Sequence, residues 1–293
     1  MKAAVFSGGG VKGAFQLGCL VNYWHNKPGK IDGFFGVSTG SLTSSVLAQA
    51  STYEDQITQL DNLLKIYRGI QGNSSIYSGS QWPPLEVAHW LFGSSIFNPS
   101  GLTALLDKVI DVLKLNTSST KFGCGVTCLE TGEYSSMSNT NQLKVIKSYI
   151  LASASMPVFF PAVEIDGKHY IDGGVRNITP LKEAVKWLKT FPNEQNELII
   201  FLASPLGIKP YTGSSKGPSA AARILDMIET EIYENDLRSL MSRNREPKAG
   251  DVNITGTMFV PTQLYGSALD FNPITIEKMI SNGMSAIPLT VYK

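Results

Sequence analysis

The chain has 293 residues, which is enough for one large hydrophobic core or at most two domains. Hydrophobic residues make up 43% and charged residues 17%, a balance that is typical of globular proteins and excludes a disordered chain. The formal net charge is +1, so no global field favours nucleic acid or anionic membranes.

Apolar periodicity divides the chain into alternating strands and helices. In chain order, the predicted elements are strand 3–6, helix 11–24, strand 31–35, helices 39–50, 53–67 and 102–115, strands 121–129 and 133–137, helix 143–152, strands 162–165 and 169–171, helix 181–188, strand 198–203, helix 220–241, strand 253–260 and helix 274–284. The alternation predicts an α/β fold with a mostly parallel central sheet that is covered by helices.

The cysteines and the apolar stretches indicate the cellular compartment in which we expect the protein. Three cysteines, Cys19, Cys124 and Cys128, form no dense framework, which predicts free thiols and an intracellular context. The first residues lack the hydrophobic segment of a signal peptide, and the longest apolar stretch, 198–203, is too short to span a bilayer. We therefore expect a cytoplasmic or membrane-peripheral protein, and the few His and Cys residues indicate no metal site.

The most informative motif is the G-x-S-x-G pentapeptide Gly36–Gly40, which directly follows the predicted strand 31–35. A serine on such a strand-to-helix turn has an exposed hydroxyl, and the flanking glycines permit the tight backbone geometry. Ser38 is therefore a candidate nucleophile, provided that a base lies beside it.

A glycine-rich loop, Ser7–Gly13, follows the first predicted strand. A phosphate-binding P-loop is excluded, because Ala14 stands where that motif requires lysine. The loop also fits G-x-G-x-x-G, but the acid that would bind a ribose, Asp32, comes before the second strand and not after it. The remaining interpretations are a packing turn and an oxyanion hole built from glycine amides, with Lys12 near its rim.

Several residues are candidates for the base that would activate Ser38. Among the histidines, the sequence context favours a solvated helix end for His25, a packing role for His89 and a strand position facing away from Asp172 for His169. Asp172 ends a predicted strand and precedes two glycines, so it suits either close contact with the serine or an ordinary Asp-Gly turn. Spacing alone leaves both interpretations open.

Taken together, these motifs resemble the patatin-like phospholipase family. The resemblance rests on four blocks in the family's order: Ser7–Gly13, Gly36–Gly40, Ala152–Pro161 and Asp172–Gly174. It implies a three-layer α/β/α fold in a single domain over 1–293, with the motifs in about 1–190 and residues 191–293 completing the sheet and the helical layers.

The resemblance also implies a mechanism. Ser38 would be the nucleophile and Asp172 the base of a dyad without histidine, and the oxyanion amides would come from Gly8, Gly9, Gly10 and Val11. The implied reaction is hydrolysis of fatty-acyl esters through an acyl-enzyme, with a lipid substrate, transient contact with a membrane or micelle, no nucleic acid and no cofactor. An acyltransferase or thioesterase with the same dyad and a nucleotide-binding module are the alternatives.

A last hypothesis concerns substrate entry. Residues 74–99 are rich in Gly, Pro, Ser and aromatic residues, among them Trp82, Trp90, Phe92 and Phe97. Such a segment suits a mobile cap or an interfacial contact that admits an acyl chain. The alternative is a small satellite core beneath a long loop.

Overall fold

The protein is described by a computed structural model that covers residues 1–78, 95, 97–140, 143–207, 210, 217–244, 252–263 and 265–292. Its strands are β1 Lys2–Phe6, β2 Gly33–Val37, β3 Lys121–Cys128, β4 Tyr134–Ser138, β5 Val163–Ile165, β6 Lys168–Asp172, β7 Asn196–Phe201, β8 Ile254–Phe259 and β9 Leu289–Tyr292. Its helices are α1 Gly13–Asn26, α2 Thr39–Leu47, α3 Tyr53–Gly69, α4 Ser100–Val109, α5 Val112–Thr117, α6 Leu143–Ser153, α7 Leu181–Leu188, α8 Gly217–Asn244 and α9 Pro273–Met284.

The strands form one mixed sheet in the order β5-β6-β3-β2-β1-β7-β8-β9, with β4 paired to β3. The central strands β3, β2, β1, β7 and β8 are parallel, and the marginal strands are antiparallel. Residues 3–6 of β1 have no exposed surface, as expected for a parallel strand that is covered on both faces. The predicted parallel centre is confirmed.

Helices cover both faces of the sheet, which confirms the three-layer arrangement. One hydrophobic core joins the sheet to α1, α2, α3, α4, α6 and α9, and a second core joins the opposite face to α7 and α8. Strands β7 and β8, which follow residue 190, lie in the same sheet as β1.

The helix predicted over 102–115 is wrong in one respect, because the structure divides it into α4 and α5. Ile110 and Asp111 between them are extended, and the Asp111 carboxylate accepts hydrogen bonds from the N–H groups of Leu113 and Lys114. An aspartate that caps a new helix competes with continuation of the old one. The apolar periodicity runs through this break, so the pattern did not reveal it.

Close contact between α1 and α9 depends on glycine. A Cβ atom at Gly18 would lie 2.1 Å from the carbonyl oxygen of Ile280, and a Cβ atom at Gly283 would lie 2.2 Å from that of Phe15. Two helix backbones can approach this closely only where the side chains are absent.

We expect Gly18→Ala to lower the free energy of unfolding by about 2 kcal/mol, because its methyl group would overlap the Ile280 carbonyl. Urea unfolding followed by circular dichroism measures the change. The matched control is Gly69→Ala at the end of α3, where a Cβ would meet nothing within 4 Å and the protein should keep or slightly gain stability. Equal midpoints for the two variants would contradict this account of the α1–α9 contact.

Candidate active site

Ser38 occupies a tight turn between β2 and α2. Its φ is 57°, in the left-handed region, and it precedes the first residue of α2. A Cβ atom at Gly36 would lie 2.1 Å from the Gly40 carbonyl oxygen, and one at Gly40 would lie 2.2 Å from that of Phe6. Both flanking positions therefore require glycine, as the pentapeptide predicts.

Pairing to β3 explains why Asp172 lies near Ser38. Strand β4 pairs with one edge of β3 along residues 123–127. Strands β2 and β6 must therefore pair with the other edge, β2 along residues 121–125 and β6 along residues 126–128. Val37, the last residue of β2, is opposite Gly125, and Asp172, the last residue of β6, is opposite Val126. The carboxyl ends of the two strands meet at this point, and Ser38 follows Val37 directly.

The carboxyl group of Asp172 is buried and only partly hydrogen-bonded. Its Oδ1 accepts a hydrogen bond of 2.8 Å from the Gly174 N–H, whereas Oδ2 has no partner with full hydrogen-bond geometry. Burial raises the pKa of Asp172 to about 7, and the Gly174 N–H and the Ser38 hydroxyl each act to lower this pKa by stabilising the charged form. A buried carboxyl group whose pKa is near neutrality can both accept and release a proton.

Two serines of the Ala152–Pro161 block fix the backbone at both residues. The Ser153 hydroxyl accepts a hydrogen bond of 3.0 Å from the Ser38 N–H, and the Ser155 carbonyl accepts one of 2.9 Å from the Asp172 N–H. The sequence motifs alone do not indicate this role for Ser153 and Ser155. Their position within a recognisable block was the available signal, but the pattern does not show which backbone groups they reach.

Two of the four predicted donor amides in the glycine loop are hydrogen-bonded to other described residues. The Gly8 N–H donates to the Ile178 carbonyl at 3.0 Å, and the Val11 N–H donates to the Ala268 carbonyl at 2.8 Å. The amides of Gly9 and Gly10 make no hydrogen bond with the described residues. Of the four predicted oxyanion donors, Gly8 and Val11 have amides bonded to carbonyl groups, whereas those of Gly9 and Gly10 have no partner among the described residues.

Buried polar groups hold this loop from beneath. Gln16 is fully buried, and its Nε2 donates to the carbonyl oxygens of Ser7 and Phe201 at 3.0 and 2.8 Å. The Ser7 hydroxyl accepts a hydrogen bond from the Ala203 N–H at 2.9 Å. Lys12 is buried, and its Nζ donates a hydrogen bond of 3.2 Å to the Ser204 hydroxyl.

The described histidines lie away from Ser38. His169 is exposed and its Nδ1 is 2.8 Å from the Glu130 carboxylate, and His25 is exposed at the end of α1. His89 lies outside the described residues. Asp32, the residue that a dinucleotide site would require, accepts a hydrogen bond from the Lys2 N–H, at the end of the sheet opposite the Ser38 turn.

A largely apolar cavity opens beside Ser38. The polar side chains among its described lining residues are Ser38, Thr39, Thr43 and Tyr67, and the Thr39 and Tyr67 hydroxyls are hydrogen-bonded to each other at 2.9 Å. Helices α2, α3 and α4 supply most of the apolar wall, through Leu42, Val46, Leu63, Ile66, Ile70, Leu102, Leu105, Leu106 and Val109. The arrangement suits a long hydrocarbon chain.

Part of the segment proposed as a cap belongs to an aromatic cluster. The Phe97 ring packs against Tyr77 at 4.4 Å between centroids, and against Phe159 and Phe160 at 6.0 and 6.2 Å. Phe97 therefore packs against the hydrophobic core, which was the alternative to a cap at this position. Trp82, Trp90 and Phe92 lie outside the described residues.

Residues 4–185 match the family model of the patatin-like phospholipases. The chain belongs to the patatin-like phospholipase family. This match, which covers more than half of the sequence, confirms the resemblance found in the four motif blocks.

Two individual proteins show more distant similarity. The chain is 29% identical over 216 residues to "Probable lipid hydrolase 463L" of Invertebrate iridescent virus 6, an alignment that covers 68% of each protein. It is also similar to the crystal structure of VipD from Legionella pneumophila, with 15% identity and a TM-score of 0.47 over 97% of this chain. The chain spans 65% of the VipD chain. Among the described residues, no helix combines the length and the apolar character needed to cross a bilayer.

The environment of Asp172 predicts a pH-dependent gain in stability from Asp172→Asn. The folded pKa is raised above the unfolded value, so the acid's favourable contribution is present at low pH and is lost as pH rises through about 7. The neutral amide avoids burial of a charge and retains an oxygen for the Gly174 N–H. We expect the variant to match the wild type near pH 4 and to gain about 4 kcal/mol above pH 7.

Urea unfolding of both proteins from pH 4 to pH 8.5 measures this difference. The control is Asp61→Asn at an exposed position of α3, which should change the free energy of unfolding by less than about 0.5 kcal/mol. A stability difference for Asp172→Asn that stays constant over the whole range would argue against a buried carboxyl group with a raised pKa.

Proposed function

We propose that this protein is a lipid acyl hydrolase in which Ser38 is the nucleophile and Asp172 is the general base. One observation carries the proposal: a buried, incompletely hydrogen-bonded carboxyl group interacts with a serine on a tight turn, beside an apolar cavity. Family membership supports the same reaction class.

In the first step, Asp172 takes the proton of the Ser38 hydroxyl while the serine oxygen attacks the acyl carbonyl carbon. Because Oδ1 is held by the Gly174 N–H, Oδ2 is the oxygen available for this proton. The raised pKa makes the carboxylate a stronger base than an exposed aspartate, although it remains charged in part of the molecules at neutral pH.

The developing negative charge on the carbonyl oxygen requires donors that are already oriented. The free amides of Gly9 and Gly10 are suitable, since their neighbours Gly8 and Val11 are held by fixed carbonyl groups. The amino-terminal end of α2 begins directly after Ser38 and adds a favourable dipole.

When the tetrahedral intermediate collapses, the proton held by Asp172 passes to the leaving alcohol, and the acyl group stays on Ser38. Asp172 is then ionised again and removes a proton from a water molecule, which attacks the acyl-enzyme. The fatty acid leaves, and the serine hydroxyl regains its proton. The cycle needs only one acid–base group, since acid and base roles alternate on the same carboxyl.

Lipid esters are the proposed substrates because the lining of the cavity is mainly aliphatic and aromatic. The name of the viral relative, a probable lipid hydrolase, supports this class. Acyl transfer to an alcohol or hydrolysis of a thioester would use the same acyl-enzyme.

We expect Ser38→Ala and Asp172→Asn each to reduce kcat/KM on phospholipid vesicles and on soluble esters by at least about a thousandfold. Ser38→Ala should also abolish labelling by a fluorophosphonate probe, which reacts with activated serines. The control is Ser45→Ala on α2, because the Ser45 hydroxyl donates to the carbonyl of Leu42 in its own helix and to no other described residue. Mass spectrometry of the products identifies the acyl acceptor.

Hydrolysis by Ser38→Ala at the wild-type rate would overturn the mechanism. Release of free fatty acid in the presence of glycerol or another alcohol favours the hydrolase, whereas predominant formation of the new ester favours the acyltransferase. Lack of fluorophosphonate labelling, combined with tight nucleotide binding by calorimetry, would instead favour a nucleotide-binding module.

The pKa of Asp172 also predicts the pH dependence of the rate. The base must be ionised to accept a proton, so kcat/KM should rise about tenfold per pH unit below about 7 and level off above it. Initial rates on a soluble ester between pH 5 and pH 8.5 measure the profile.

The control for this profile separates ionisation from unfolding. Protein incubated at each pH is returned to pH 7.5 and assayed again, and full recovery assigns the change to the titration of the free enzyme. A flat profile from pH 5 to pH 8 would contradict Asp172 as the general base.

A further inference from the structure

The cavity beside Ser38 extends along α2, from which Thr39, Leu42, Thr43 and Val46 line it. Ser38, Leu42 and Val46 lie four residues apart and all line the cavity. Residues at this spacing share one face of a helix. Since an α-helix rises 1.5 Å per residue, Val46 lies about 12 Å along the axis from Ser38. The lining of the cavity therefore includes residues at both ends of α2.

The Gln49 side chain connects α2 and α4 at the end of α2 that is farther from Ser38, and we call it the clamp. Gln49 follows α2, and its Nε2 donates to the carbonyl of Val109, the last residue of α4, at 3.1 Å. Its Oε1 accepts a hydrogen bond of 2.9 Å from the Asp111 N–H. Val109 itself lines the cavity, so this clamp holds the end of α4 close to the end of α2.

We propose that Val46 and Val109 form the floor of an acyl-chain site and thereby limit the length of the acyl chain that the enzyme prefers. An extended hydrocarbon with carbon–carbon bonds of about 1.5 Å advances roughly 1.25 Å per carbon, so the distance of about 12 Å from Ser38 to Val46 corresponds to about ten carbons. This inference rests on the proposed function and specifies its substrate class as esters of medium-chain acids.

The proposed floor limits the preferred chain length through two effects, the burial of methylene groups and the close packing of side chains. Each methylene that leaves water for the cavity improves binding by roughly fourfold, so reactivity should rise with chain length while space remains. Beyond the floor, additional carbons must bend back or stay in water, because packed side chains yield little. We therefore expect kcat/KM to rise up to the decanoyl ester and then to level off or fall.

The test compares Val109→Phe with Val112→Phe. Both valines are partly buried and pack against the same core, but only Val109 is among the described residues that line the cavity. Each protein is assayed with p-nitrophenyl esters from butanoyl to hexadecanoyl, at concentrations below those at which the esters form micelles. The readout is the ratio of kcat/KM for each ester to kcat/KM for the butanoyl ester, which is insensitive to the amount of folded protein.

For Val109→Phe we expect the optimum to move to shorter chains and the decanoyl-to-butanoyl ratio to fall by about tenfold, equivalent to losing roughly two methylenes. Val112→Phe should keep the wild-type ratios. Val46→Ala supplies an independent second variant, and its smaller side chain should move the optimum to longer chains.

Binding separates a failure of the floor from a failure of the proposed function. If the wild type hydrolyses no ester of the series, the proposed hydrolase is overturned, and calorimetry of fatty acids from hexanoate to hexadecanoate with Ser38→Ala then tests the floor without catalysis. The floor is overturned if affinity or kcat/KM rises steadily to the longest chain. It is also overturned if Val109→Phe and Val112→Phe give the same chain-length profile.

Discussion

The arrangement of the candidate site depends on one shared edge of β3. Strands β2 and β6 approach this edge from opposite directions, and each ends where the other ends. Ser38 and Asp172 therefore come together through strand pairing, although a large part of the chain separates them. A shift of one residue in β6 would turn Asp172 to the opposite face of the sheet, because successive side chains alternate. The meeting of Ser38 and Asp172 therefore depends on the register of β6 against β3.

The burial of Asp172 has opposite effects on the basicity of its carboxylate and on the stability of the folded protein. Burial keeps water from Asp172 and raises its pKa, which makes the carboxylate more basic, but the same burial disfavours the charged form in the folded protein. The Gly174 N–H and the Ser38 hydroxyl offset part of this cost by stabilising the charged form, and hydrogen bonds to Ser153 and Ser155 hold the backbone of Ser38 and Asp172. Rigid support of one incompletely bonded carboxyl group is a feature expected of functional sites.

The sequence was informative where chemistry and conformation are encoded locally. Glycines around Ser38 predicted the turn, and alternating apolar patterns predicted the sheet and most helices. Contacts made across the chain were beyond local patterns: the Gly8 and Val11 amides are occupied by carbonyls from residues 178 and 268, and Asp111 divides a helix that periodicity left continuous. Strand β9 was also missed, because its four residues carry too little pattern to identify a strand.

The hydrogen bond between Val11 and Ala268 has a consequence for how the chain can be divided. Ala268, Leu269 and Phe271 lie beyond the region matched to the family, yet they touch the glycine loop or line the cavity. Strand β7, which holds Ser7 through the Phe201 carbonyl, also begins after that region. A fragment cut at residue 185 would retain every recognisable motif while losing the neighbours that shape the loop. The motifs carry the family resemblance, but the residues that hold the glycine loop and line the cavity extend well beyond them.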